Sequence, residues 1–268
     1  MAYFTTSDNV KLYYESFGSG EKTILFVHGW MDSGETFKTA AGALAEKYRI
    51  IVYDHRGHGR SETPEDGYHM TRLASDLREL IELLMPGQLT LVGYSMGSHV
   101  IYEYVKLFGD AELDKVVITV MSPTLVNEER PELSLGGGLT GRMALERLSS
   151  NNRHYVEGCE TAYLTYIKTH APNEKLREYY IQAARLNSGA MVRLAIAMYA
   201  ADYWDVLPTF TRPTLILSAE QDMYPRVCHE EQARQIPNSK VVILEGCGHM
   251  LVMEKPEAYC EALAEFIQ

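Results

Sequence analysis

Leu89-Thr90-Leu91-Val92-Gly93-Tyr94-Ser95-Met96-Gly97 decides how this chain is read. The first four residues combine leucine with β-branched side chains and predict a short buried strand. Beyond Ser95, Met96, Val100, Ile101, Tyr104, Val105 and Phe108 recur at helical spacing. Gly93-Tyr94-Ser95-Met96-Gly97 therefore falls on a strand-turn-helix junction. A serine at such an elbow is forced into a strained backbone conformation, and the flanking glycines let strand and helix approach closely. The Ser95 hydroxyl is expected at the carboxyl edge of a sheet, where the first N–H groups of a helix favour negative charge.

A serine hydroxyl is a poor nucleophile until a base takes its proton, so the reading requires a histidine oriented by a carboxylate. Asp222 follows the strand Leu215 to Ser218, and His249 follows the strand Val241 to Leu244. In a parallel sheet both strand ends share the edge that exposes Ser95, so residues far apart in sequence can converge. Glu220 and Glu245 lie close enough in sequence to compete for the orienting role.

Working outward, Ala2 to Thr6 and Val10 to Phe17 read as two strands joined around Ser7-Asp8-Asn9, a turn-forming triplet. The strand Thr23 to Val27, a helix Phe37 to Tyr48 and the strand Ile50 to Tyr53 follow. The helix Thr71 to Met85 places Leu73, Leu77, Leu80, Ile81 and Leu84 on one face. After the elbow helix comes the strand Lys115 to Val120. From Pro123 to Leu207 the pattern is helical, with seven tyrosines and Trp204. The β/α rhythm then resumes with Pro213 to Ser218, a helix Arg226 to Gln235, Lys240 to Leu244 and a final helix Pro256 to Ile267. The fold class is α/β: a mainly parallel eight-stranded sheet with helices on both faces and a helical cap inserted after the sixth strand. Residues 1–122 and 208–268 form the core, and 123–207 the cap.

The 268 residues, 46% hydrophobic and 23% charged, suit one globular domain with an insertion. A net charge of −11 disfavours nucleic acid and anionic membrane surfaces as partners. The opening residues lack a basic and then apolar leader, and no apolar run is long enough to span a bilayer, so a cytoplasmic location is expected. Cys159, Cys228, Cys247 and Cys260 have neither C-x-x-C nor zinc spacing and read as reduced thiols, without a disulfide.

Four motifs together resemble the capped α/β-hydrolases, essentially from end to end. They are His28-Gly29-Trp30, similar to that family's oxyanion loop; Asp54-His55-Arg56-Gly57-His58-Gly59-Arg60-Ser61, similar to its D-x-R-G-x-G-x-S turn; the elbow at Ser95; and Asp222 with Gly246-Cys247-Gly248-His249. The resemblance implies that Ser95 is the nucleophile, His249 the base and Asp222 its orienting acid. It implies an oxyanion hole made by the backbone N–H groups of Trp30 and Met96, and a substrate pocket bordered by Trp30 and Tyr94. The implied activity is cofactor-independent hydrolysis of an ester or similar activated acyl bond, with a small-molecule acyl substrate and no metal. Carbon–carbon bond hydrolysis, perhydrolase or haloperoxidase-like chemistry, and a small-ligand receptor retaining the triad remain alternatives. Serine at position 95 argues against dehalogenases and epoxide hydrolases, which carry aspartate there.

Other features have plainer readings. His28 is expected to pack its loop, and Asp54 and Arg56 to tie loops together beneath the site. His55 and His58 lack a third convergent ligand for a metal. Gly18-Ser19-Gly20 is a loop connection rather than a phosphate cradle, since a strand follows it. Gly136-Gly137-Gly138 is expected to give the cap mobility. Tyr155, Tyr163, Tyr166, Tyr179, Tyr180, Tyr199, Tyr203 and Trp204, with Met191 and Met198, divide between pocket lining and helix packing. Cys247 is expected to pack.

Overall fold

The computed structural model describes residues 2–153 and 186–268. Its sheet has eight strands: β1 (Ala2–Thr5), β2 (Lys11–Phe17), β3 (Lys22–Val27), β4 (Arg49–Tyr53), β5 (Gln88–Tyr94), β6 (Lys115–Thr119), β7 (Thr214–Gln221) and β8 (Ser239–Gly248). Their spatial order is β1-β2-β4-β3-β5-β6-β7-β8. β1 and β2 pair antiparallel, as do β2 and β4; every other neighbouring pair is parallel. The hairpin turns at Asn9, whose positive φ of 63° suits an asparagine.

Central strands are apolar along their whole length because helices cover both faces. In β3, Ile24, Leu25, Phe26 and Val27 are all inaccessible to solvent. Among the described residues the helices are α1 (Lys38–Leu44), α2 (Met70–Leu84), α3 (Met96–Phe108), α4 (Gly141–Arg153), α5 (Ser188–Ala200), α6 (Arg226–Gln235), α7 (Leu251–Glu254) and α8 (Pro256–Ile267). α1 packs against α8, and α2 against α3. The predicted helix from Phe37 is shorter than expected: Gly34–Phe37 form a 3-10 turn and α1 ends at Leu44. α4 and α5 belong to the stretch between β6 and β7, with α5 capped by the Asn187 side chain accepting from the Ala190 N–H. Residues 123–130 are not helical, and Thr124 bridges to Asp202 instead.

Register explains how distant residues meet. Val27 pairs with Gly93 and Tyr94 with Thr119, which brings the chain after β3 beside the elbow. The β7–β8 ladder shifts register beyond Ala219 and then pairs Gln221 with Gly248. Asp222 and His249 each follow at once, at the same sheet edge as Ser95.

Beneath this edge Arg56 is fully buried and ion-paired twice, with Asp76 at 2.7 Å and Asp8 at 2.8 Å. With two carboxylates on it, the buried guanidinium keeps a partner if either acid is lost, and only loss of both would leave its charge uncompensated. Asp54 accepts from the Gly34 N–H at 2.7 Å and the Arg60 N–H at 2.8 Å. The loop-tying expected of the 54–61 turn is what these contacts do. Gly18 and Gly20 connect β2 to β3, and a Cβ on Gly18 would collide with the carbonyl oxygens of Tyr48 and Ala45.

Candidate active site

Ser95 has φ 51° and ψ −122°, the strained backbone expected of an elbow. Gly93 and Gly97 are required by sterics: a Cβ on Gly93 would sit 2.7 Å from Ser98 Cα, and one on Gly97 would overlap the Val27 carbonyl oxygen. The Ser95 N–H is held by the Thr119 carbonyl at 3.0 Å. Two other non-glycine residues with positive φ border the edge, Met31 at 58° and Val120 at 46°. Such clustering of backbone strain is a mark of functional sites.

His249 Nε2 lies 3.0 Å from Ser95 Oγ, and His249 Nδ1 lies 2.8 Å from Asp222 Oδ1. A continuous hydrogen-bonded chain thus links hydroxyl, imidazole and carboxylate. Burial pushes the Asp222 carboxyl upward, but hydrogen bonds from His229 and His249 outweigh it and hold the group well below the usual carboxylate range. Neither competing acid takes this position. Glu220 is exposed and accepts from the Gly246 N–H at 2.9 Å, and Glu245 is exposed.

Met96 opens α3, so its N–H has no helical carbonyl to reach and points where an anion would be welcome. Gly29, just before Trp30, lies against Ser95: a Cβ there would be 3.2 Å from Ser95 Cβ. The 28–31 loop is hung on the 55–58 turn by three buried histidines. The His55 N–H donates to His28 Nε2 at 2.9 Å, His55 Nε2 lies 3.1 Å from the His28 carbonyl, and the Met31 N–H donates to His58 Nε2 at 3.3 Å. His28 Nδ1 faces the Gly29 carbonyl, His58 Nδ1 the Arg56 carbonyl, and His55 Nδ1 the Tyr53 hydroxyl. Every ring nitrogen therefore has one partner, and each ring suits a single neutral tautomer. Burial drives all three below the ordinary histidine range, His55 to about 3 and His58 to about 4. The His55 and His58 nitrogens hold this loop, in keeping with the sequence reading of His28 as a packing residue.

Trp30 is half-buried, and its indole N–H donates to the Met191 carbonyl of α5 at 2.9 Å, tying this loop to the inserted helices. Tyr94 is placed differently from the expected pocket liner. It is 3% exposed, its hydroxyl donates to the His249 carbonyl at 3.1 Å, and its ring centroid lies 5.8 Å from that imidazole. Residue 94 follows Gly93 on β5, so its side chain turns down beside the β8 end and supports His249.

Gly136-Gly137-Gly138 reaches the loop after β7. Gly136 and Gly137 have φ of 67° and 68°, the Gly136 N–H donates to the Met223 carbonyl at 2.9 Å, and a Cβ on Gly137 would come 3.1 Å from Pro225 Cγ. The triplet is a turn packed on the loop that carries Asp222. Tyr203, Met191 and Met198 are buried. Tyr155, Tyr163, Tyr166, Tyr179 and Tyr180, and also Cys159, lie outside the described residues. Cys228, Cys247 and Cys260 are free thiols, and burial raises Cys247 to about 11 and Cys228 to about 12. Among the described residues no helix is long and apolar enough to cross a membrane.

Motif reading missed His229, which lies on α6 seven residues beyond Asp222 and reaches the same carboxylate. Only its one-sided position on a short helix could have flagged it.

Comparison with known proteins identifies the family and the fold. A family model described as the alpha/beta hydrolase family matches residues 24–262. The chain is 26% identical over 279 residues to the non-heme chloroperoxidase CPO-A1 of Kitasatospora aureofaciens, covering 100% of this chain and 99% of that protein. It is 24% identical over 278 residues to the bifunctional esterase/perhydrolase of Acinetobacter calcoaceticus, with 100% of both covered. An esterase from Exiguobacterium antarcticum superposes with a TM-score of 0.91 at 26% identity, covering 99% of this chain and 98% of that one. A bromoperoxidase from Bacillus anthracis gives 0.90 at 28% identity, with 99% of each chain covered.

Proposed function

From the premise that this chain belongs to the alpha/beta hydrolase family, we propose that it is a serine hydrolase that cleaves a carboxylic ester, or a similar activated acyl bond, through an acyl-enzyme on Ser95. The observation that carries this reading is the chain from Ser95 Oγ through His249 to Asp222, with links of 3.0 and 2.8 Å. A serine, an imidazole and a buried carboxylate in that order form the minimal set that turns an alcohol into a nucleophile.

His249 Nε2 takes the Ser95 proton as Oγ bonds to the acyl carbon. Asp222 keeps the proton of His249 on Nδ1 and stabilises the imidazolium without accepting that proton. The N–H groups of Met96 and Trp30 meet the charge on the tetrahedral oxygen. His249 then gives its proton to the departing alkoxide. In the second half, His249 deprotonates a water whose oxygen attacks the acyl carbon, and Ser95 leaves carrying the proton. No step calls on a cofactor or metal.

The names of two relatives favour a second reading of the same residues. Hydrogen peroxide in place of water would attack the acyl-enzyme and release a peracid with Ser95 restored, by the same proton movements.

The test is hydrolysis of p-nitrophenyl esters graded by acyl length, for the wild type and Ser95→Ala, with and without hydrogen peroxide. The substitution is expected to lower kcat/KM at least about a thousandfold and to abolish labelling by a serine-directed phosphonate. Wild-type turnover in Ser95→Ala would remove Ser95 from the chemistry. Peracid formation that depends on Ser95 would favour the second reading.

A further inference from the structure

Asp222 carries two imidazoles. His249 Nδ1 lies 2.8 Å from Oδ1, and His229 Nε2 lies 3.1 Å from Oδ2. The Met223 N–H donates to Oδ1 at 2.7 Å and the Ser218 hydroxyl to Oδ2 at 3.3 Å. The carboxylate side chain is wholly buried, and His229 is 1% exposed.

The remaining nitrogen of His229 assigns its proton. Nδ1 is buried with no hydrogen-bond partner. A proton there would be an unpaired buried donor, whereas a proton on Nε2 points at Oδ2. The ring is therefore an Nε2–H donor aimed at the oxygen that His249 does not use. Tyr224 sits between the two imidazoles, with ring centroids 6.4 Å from His229 and 6.5 Å from His249.

A carboxylate that rotates about its Cβ–Cγ bond loses its alignment with His249. Without His229, Oδ2 would be held by the Ser218 hydroxyl alone, at a distance where such bonds are weak. A charge-assisted N–H bond is roughly twice as strong as a neutral one and fixes that rotation. We propose that His229 is a positioning residue, locking Asp222 in the orientation in which it serves His249, so that the reacting relay runs Ser95, His249, Asp222, His229. This inference rests on the hydrolase reading above. It adds to it a residue on α6 that touches neither substrate nor nucleophile.

The experiment combines long-range 1H–15N imidazole spectra with kinetics on p-nitrophenyl acetate for wild type, His229→Leu, His229→Gln and Ser95→Ala. The wild-type spectrum should show His229 as the Nε2–H tautomer with a slowly exchanging proton, and a downfield Nδ1–H on His249. His229→Leu should lower kcat about tenfold, leave KM within about twofold, and shift or broaden the His249 Nδ1–H signal. His229→Gln, whose amide N–H can reach Oδ2, should recover kcat to within about threefold of wild type. A wild-type spectrum with the proton of His229 on Nδ1 overturns the proposal, and this reading needs no variant to fold. So does a His229→Leu enzyme with wild-type kcat, or one that loses kcat with the His249 signal unmoved. Turnover retained in Ser95→Ala sinks the hydrolase reading by itself and leaves the tautomer of His229 to be judged separately.

Discussion

Ser95 holds a backbone conformation that an L-residue adopts at a cost of roughly 1–3 kcal/mol. Glycine has no Cβ to strain there, so Ser95→Gly is expected to be more stable than Ser95→Ala by about 1 kcal/mol while equally inactive. Urea melts of the two variants check this, and a lower midpoint for Ser95→Gly would show that the elbow stores less than the roughly 0.5–1 kcal/mol that glycine loses in unfolded-chain entropy. Asp32 is a second residue held against its preference. Its Oδ2 is buried without a partner, and burial raises its carboxyl to about 7. A folded-state value above the unfolded one favours the protonated acid, so this contribution is fully present below the unfolded value near 3.8 and is lost as pH rises through 7. Asp32→Asn, which does not titrate, should therefore gain on the wild type by about 1–2 kcal/mol between pH 5 and pH 8, whatever its absolute stability; a difference independent of pH would refute the assignment. The meeting of Ser95, His249 and Asp222 at one sheet edge was legible residue by residue, because strand-end motifs announce it. His229 and the Tyr94 hydroxyl were not, because a side chain that acts through another residue leaves no spacing rule in the sequence.

At the scale of elements, the sheet edge does most of the assembly. Strand ends were legible from apolar runs bounded by glycine and aspartate, and the final helix Pro256–Ile267 agrees with its pattern at both ends. β8 runs on to Gly248, four residues beyond the expected Leu244. A ladder with β7, re-registered by a bulge, holds those polar residues in the sheet against their low strand propensity. The three-histidine clamp on the 28–31 loop is likewise an arrangement between elements, and neither segment alone reveals it. His55→Leu removes the donor to the His28 carbonyl but keeps the backbone bond to His28 Nε2. The expected result is a kcat lowered about fivefold with KM little changed, since a loosened N–H is felt where charge develops. Unchanged steady-state kinetics would separate the clamp from the oxyanion loop.

For the whole molecule, the buried histidines set the response to acid. Burial lowers His28 well below the ordinary range, His55 to about 3, and His58 and His99 to about 4. These rings stay neutral in the fold while the unfolded chain protonates below about 6.5, so the stability they contribute is present above that pH and lost as pH falls toward 4. Asp32, Asp54 and Asp76, whose carboxyls burial raises, work in the opposite sense, while Asp8, Glu15, Glu79, Asp222 and Glu231, held low by their hydrogen bonds, add to the loss in acid. Urea midpoints are expected to fall steadily from pH 6.5 to 4.5; a flat response would mean that the rings charge without leaving the core. The overall architecture was legible because β/α alternation is a long-range rhythm that single misread boundaries do not disturb. The layout of the inserted helices was not, because aromatic residues serve packing and pocket alike.

The bond from Trp30 to the Met191 carbonyl gives the protein an optical label of its own. The chain has two tryptophans, and replacing Trp204 with phenylalanine would leave one indole, carried by the 28–31 loop and bonded to a helix of the insertion. The emission wavelength of an indole follows the polarity around its ring nitrogen. Separation of that helix from the 28–31 loop would thus be seen as a change of colour during turnover, with no dye attached.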